Sequence, residues 1–200
     1  MSNYEDHVIG LYQDDIDSVK EFLKIAINTI FFHRWINNKN YNCESSAIKD
    51  ISFMKIKDNT LDEKIGKILD QLSYDSKTYN KFQMIIEFYK YNQGGFLGWF
   101  QKKTLWERWN ILIIIKEEGS TDKEDNMRRL ITMILQNLNN NIDFMPEIEL
   151  EGFENMDMDD NDKGNKNDSD FPFELKLVKH FEQASYIKLF ETKNFNKIEE

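Results

Sequence analysis

Three histidines and a single cysteine are the side chains in this 200-residue chain best suited to metal binding or nucleophilic attack. His7, His33 and His180 stand in three unrelated contexts, none with a Cys or carboxylate at ligand spacing, so no zinc site is expected. Cys43 lies in the polar run "NYNCES" without a His and Asn setting, and its thiol reads as a bystander rather than a nucleophile. No phosphate loop, nucleophile elbow or dinucleotide fingerprint occurs. The stretch "DDNDKGNKNDSD" has the outline of a calcium loop, with Asp159, Asn161, Gly164 and, at the twelfth place, Asp170. Lys163 fills a ligand position, Glu is missing at the end and Pro172 follows, so it reads as low-complexity acidic sequence. Neither catalysis nor a cofactor nor a metal is expected.

The remaining chemistry is aromatic. "GGFLGWFQKK", residues 94–103, sets Leu97, Trp99 and Phe100 in a glycine-rich loop. Either these rings fold under the loop as a satellite of the core, or the loop offers them to a partner. Composition alone favours the first, because most large aromatics are buried.

Around that loop the chain has the makings of one domain, with 15 Phe, 8 Tyr and 4 Trp available for its core. The net charge of −10 is uneven. Residues 147–170 hold ten acids against Lys163 and Lys166, eight of the ten net charges, and read as a disordered acidic insert. The rest is nearly neutral, without a basic stripe for nucleic acid or anionic lipid. One cysteine, no apolar leader in "MSNYEDHVIG" and no bilayer-length apolar run point to a cytoplasmic or nuclear protein.

Helical spacing of Ile16, Val19, Phe22, Leu23, Ala26, Ile30 and Phe31 predicts a helix over 14–35, with Ile27 and Phe32 widening its apolar face. His33-Arg34 would complement that helix's dipole in its last turn. A short strand is predicted at 51–56. Thr60-Leu-Asp-Glu63 has the form of a capping box before a second helix, and Thr121-Asp-Lys-Glu124 before a third. Phe82, Met84, Ile86 and Phe88 alternate as in a strand. Residues 105–116 read as a central strand covered on both sides, with Leu105, Trp109, Ile111, Ile113 and Ile115 on one face and Trp106, Leu112 and Ile114 on the other. "FPFELKLVKHF" supplies a last strand. The order predicts an α+β fold with a mainly antiparallel sheet.

Taken in order, "FFHRW", "ISFMKI", "LDEKIGKILDQL", "MIIEFYKY", the Trp-Phe loop, "LWERWNILIII", "NIDFMP" and "FPFELKLVKHF" resemble the autophagy-related protein 101 family over most of the chain outside 147–170. The resemblance implies a single HORMA domain over 1–200, with three helices on a mostly antiparallel sheet and the first helix central. It implies a non-catalytic scaffold of the autophagy-initiating kinase complex that heterodimerises with the HORMA domain of autophagy-related protein 13. That scaffold would be cytoplasmic and recruited to the preautophagosomal structure. It further implies an exposed Trp-Phe finger that recruits downstream autophagy factors, which here falls on Trp99 and Phe100, with Phe96 or Leu97 sharing the role. The family's Trp-Pro-Phe arrangement lacks its proline here and the loop to Trp106 is shorter. Dimers in the HORMA superfamily centre on the third helix, about 124–138, which brings in Met127, Arg128, Leu130 and Ile131, some of which must face the sheet. A second reading keeps the fold but makes it a checkpoint or meiotic type of adaptor that closes its C-terminal segment on a peptide. The short, weakly patterned segment after Phe181 argues for the scaffold.

Overall fold

The computed structural model describes residues 4–13, 15–35, 40–48, 50–94, 100–115, 123–140 and 172–179, and the side chains of all of these but 91–94 and 100–102. Their order is β1 (Glu5–Gln13), α1 (Ile16–Arg34), β2 (Tyr41–Ser45), β3 (Ser52–Ile56), α2 (Asn59–Asp75), β4 (Lys81–Gly94), β5 (Phe100–Ile115), α3 (Lys123–Asn140) and β6 (Phe173–Lys179). The main sheet runs β1-β5-β4-β6, and β2 with β3 form a separate pair. Only β1 lies parallel to its neighbour; the other pairings are antiparallel. This is an α+β fold consistent with a HORMA-like domain.

α1 starts where Asp15 caps it, its Oδ1 accepting from Ser18 N at 2.7 Å and its Oδ2 from Ser18 Oγ at 2.8 Å. Lys123, the first residue of α3, donates to the same carboxylate at 2.6 Å, so two helix starts are tied together. Val19, Phe22, Leu23, Ile25, Ala26, Ile27, Ile30 and Phe31 are all fully buried. These positions occupy most of the helix circumference, which is why α1 is packed on more than one side. It touches β1, β3, β5, α2 and α3 and is the central helix.

The alternation in β4 is as the sequence predicts. Phe82, Met84, Ile86 and Phe88 are fully buried and meet Ile113, Ile111, Trp109 and Glu107 of β5 in register. Ile9 and Leu11 extend that face on β1, and all three helices bury their apolar residues in the same cluster.

Four expectations are corrected. Asp58, not Thr60, caps α2, accepting from Leu61 N at 2.6 Å, and the helix therefore starts before Thr60. Glu63, exposed, pairs with Lys67 one turn on instead of reaching back. β1 and β2 are strands that the sequence pattern does not predict. β5 is central as expected, with Ile111 and Ile113 buried on the helix-packed face and Asn110 and Leu112 buried on the other. An irregularity in register also places Trp106 in the core and sets Leu105 opposite Tyr89, exchanging the faces the sequence gives these two.

Candidate interaction sites

Beyond Phe88 and Glu107 the sheet narrows to two strands. β6 begins with Phe173 opposite Phe88, and β1 begins with Glu5 opposite Glu107. Among the described residues β4 and β5 continue as a pair through Tyr89↔Leu105, Lys90↔Thr104, Tyr91↔Lys103, Asn92↔Lys102, Gln93↔Gln101 and Gly94↔Phe100. At 3.3 Å per residue this ribbon reaches about 20 Å past the four-stranded sheet. Phe100 opens β5 at its far end. Phe96, Leu97 and Trp99, and the Phe100 side chain, lie outside the described residues.

The ribbon is fastened at its root. Tyr89 N donates to the Pro172 carbonyl at 3.0 Å. Lys103 Nζ stands over the Tyr89 ring, 3.8 Å from its centroid, and also pairs with Glu174. The ammonium of Lys103, with that of Lys176 at 2.8 Å, holds the Glu174 carboxyl down to about 2. Beside it on the outer face, Glu87 accepts from Arg108 (2.9 and 2.6 Å), Lys176 (2.7 Å) and the Tyr89 hydroxyl (2.9 Å). Burial, then that bond to Glu87, pushes the Tyr89 phenol up to about 12.

On α3 the four residues named for a dimer surface divide. Met127 and Leu130 are buried with Ile134 and Leu138 in the core. Ile131 is half-buried against it, and Arg128 is exposed, paired with Glu124 at 2.8 Å. Arg129 makes the equivalent pair with Asp125 at 2.8 Å. Arg128 and Ile131 are therefore the members of the set with surface left to offer.

A buried ionic centre lies behind the ribbon root. Glu107 is 1% exposed and points inward with the core face. Arg34 donates to it twice, from Nε to Oε2 and from Nη2 to Oε1, both at 2.7 Å, and His7 Nε2 donates to Oε1 at 2.9 Å. The His7 ring stacks on Trp109 with centroids 4.0 Å apart. Burial alone would raise the Glu107 carboxyl, but the bonds from His7 and Arg34 and the guanidinium charge outweigh it and leave the pKa below its ordinary value. Such a saturated carboxylate suits structure rather than proton transfer. Arg34 thus corrects the helix-dipole reading of the His33-Arg34 pair. His33 alone stays at the exposed helix end, its Nδ1 donating to the Thr29 carbonyl at 2.8 Å.

Sequence reasoning missed Glu107 and His7, whose partners lie 73 and 100 residues apart in the chain. The adjacent inward pair Trp106-Glu107, which breaks the strand alternation, was the available signal. Among the described residues no cluster of His, Cys, Asp and Glu could hold a metal ion, and no helix is long and apolar enough to cross a membrane. A family model described as autophagy-related protein 101 matches residues 13–151. Among curated proteins none matches the chain.

Proposed function

The chain belongs to the autophagy-related protein 101 family and so to autophagy, and from that premise we propose that it is a non-catalytic scaffold of autophagy initiation with two interaction surfaces. One pairs it with the HORMA domain of autophagy-related protein 13, within the autophagy-initiating kinase complex. The other is the end of the β4–β5 ribbon, where Trp99 and Phe100 act as a finger for downstream autophagy factors, with Phe96 and Leu97 alongside. Its place of work is the cytoplasm and, on recruitment, the preautophagosomal structure.

The observation that carries this reading is the ribbon. A two-stranded extension about 20 Å long, free of β1 and β6, separates its end from the core, and large aromatics presented that way serve as interface anchors. Arg128 and Ile131 on α3 are the residues of the third helix proposed to meet the HORMA partner.

Mass by light scattering, after co-expression with autophagy-related protein 13 from the same organism, tests the pairing. A 1:1 complex is expected. A chain that stays monomeric, or pairs only with itself, would overturn the heterodimer and favour the peptide-closing adaptor.

A further inference from the structure

The register of β4 against β5 changes at one place. Phe88 pairs with Glu107, but the next pair is Tyr89 with Leu105, so Trp106 is an extra residue with no partner across the strands. This bulge sits on the line where four strands become two, since Phe173 of β6 and Glu5 of β1 are the last residues beside it. An extra residue bends its strand and increases the local twist. Inside the sheet, flanking strands would resist that bend; here neither β1 nor β6 continues past it.

We propose that the bulge at Trp106 sets the direction in which the β4–β5 ribbon leaves the sheet, making Trp106 a positioning residue for the ribbon end. The proposal rests on the reading of that end as the Trp99–Phe100 finger. The bend is held from every side. The Trp106 ring is 6% exposed and stacks on Phe88, centroids 5.7 Å apart at 29°. Its neighbour Glu107 is fixed by Arg34 and His7. On the opposite strand Tyr89 is tied to Pro172 through its N–H, and Lys103 bridges its ring to Glu174. With a lever of about 20 Å, a change of direction of about 20°, the size of ordinary interstrand twist, moves the ribbon end by about 7 Å.

The strand pairing suggests the variant. Deleting Trp106 leaves every other β4–β5 pair in place and removes the extra residue together with the ring stacked on Phe88. Inserting one Thr between Phe88 and Tyr89 also abolishes the bulge, pairing Trp106 with the new residue and turning over the faces of the ribbon beyond it. Trp106→Phe retains the bulge and is the control. In the chain carrying Cys43→Ser, spin labels at Lys67→Cys on α2 and Gln93→Cys on the ribbon report the direction as a distance distribution. Starvation-induced autophagosome-marker puncta, counted in cells whose only copy is the variant, report the function.

Both bulge-free chains are expected to shift the mean distance by about 5 Å or more, given that lever, and to lower puncta at least about fivefold. Trp106→Phe is expected to change neither. A folded bulge-free chain with an unchanged distance overturns the proposal, as does a shifted distance with undiminished puncta. Puncta retained by a Trp99→Ala, Phe100→Ala chain would instead overturn the finger reading and leave the distance to decide the bulge.

Discussion

Arg34, the last residue of α1, meets Glu107 of β5 through two parallel hydrogen bonds of 2.7 Å, with their side chains only 2% and 1% exposed. The bidentate fork fixes orientation as well as distance, so the end of the central helix is pinned to the strand residue beside the bulge. His7 brings β1 to the same carboxylate. Three elements far apart in the chain thus share one anion.

Breaking that centre from one side leaves a guanidinium buried without its counter-charge. Glu107→Ala is expected to cost about 3–5 kcal/mol in urea unfolding. Replacing Arg34 and Glu107 together by Met is expected to recover most of that loss, because two apolar groups of similar length need no partner. Equal losses in the single and double variants would show that the charge pairing is not what matters there.

Acid should weaken the fold in a defined window. Glu107 and Glu174 both have folded pKa values below the ordinary 4.5, Glu174 at about 2. A depressed carboxylate contributes stability that is complete above its unfolded pKa and is lost as pH falls through the folded one. The urea midpoint is therefore expected to hold down to about pH 5 and then fall steeply between about pH 4.5 and 2. Glu107→Gln should flatten the part of that fall due to the buried centre. A midpoint insensitive to pH below 4.5 would contradict the assignment.

The proposed finger can be tested apart from the fold. Trp99→Ala with Phe100→Ala is expected to change unfolding free energy by no more than about 0.5 kcal/mol, as surface substitutions do. The same pair should abolish recruitment of downstream autophagy factors, since a desolvated aromatic anchor is worth about 2–4 kcal/mol, or about 30- to 1000-fold in affinity. A large fall in melting temperature would place both rings in a structural cluster instead.

At the start of α2, Asp58→Ala removes the acceptor for Leu61 N and is expected to cost about 1 kcal/mol. Thr60→Ala, one turn position inside the helix, should cost less. Thermal unfolding of the two variants side by side decides between the cap seen and the capping box read from "TLDE".

The parts of the fold legible from sequence are those whose residues repeat with the period of their element. α1, α2, α3 and the alternating stretch of β4 announce themselves because each buries an apolar face. β1 does not, because two of its four inward residues are His7 and Gln13, and their polarity hides the alternation that Ile9 and Leu11 complete. β2 has five residues, none buried, and exists by backbone pairing with β3. Arg34 looked like a surface cation because its partner belongs to a different element, and no local pattern encodes a contact made across the fold. The Trp-Phe loop drew notice by composition; the ribbon beneath it is a matter of where β1 and β6 stop, which no residue in the loop encodes.

β1 joins the sheet parallel to β5, Glu5 to Gln13 lying beside Glu107 to Ile115. During synthesis this strand leaves the ribosome before its hydrogen-bonding partner, which is made about a hundred residues later, some 5–20 s at ordinary elongation rates. Through that interval Ile9 and Leu11 have no sheet to enter, a long-range pairing of the kind that slows folding and leaves strand edges open to other chains. The nascent protein should therefore depend on chaperones until β5 has emerged, whatever its stability once complete.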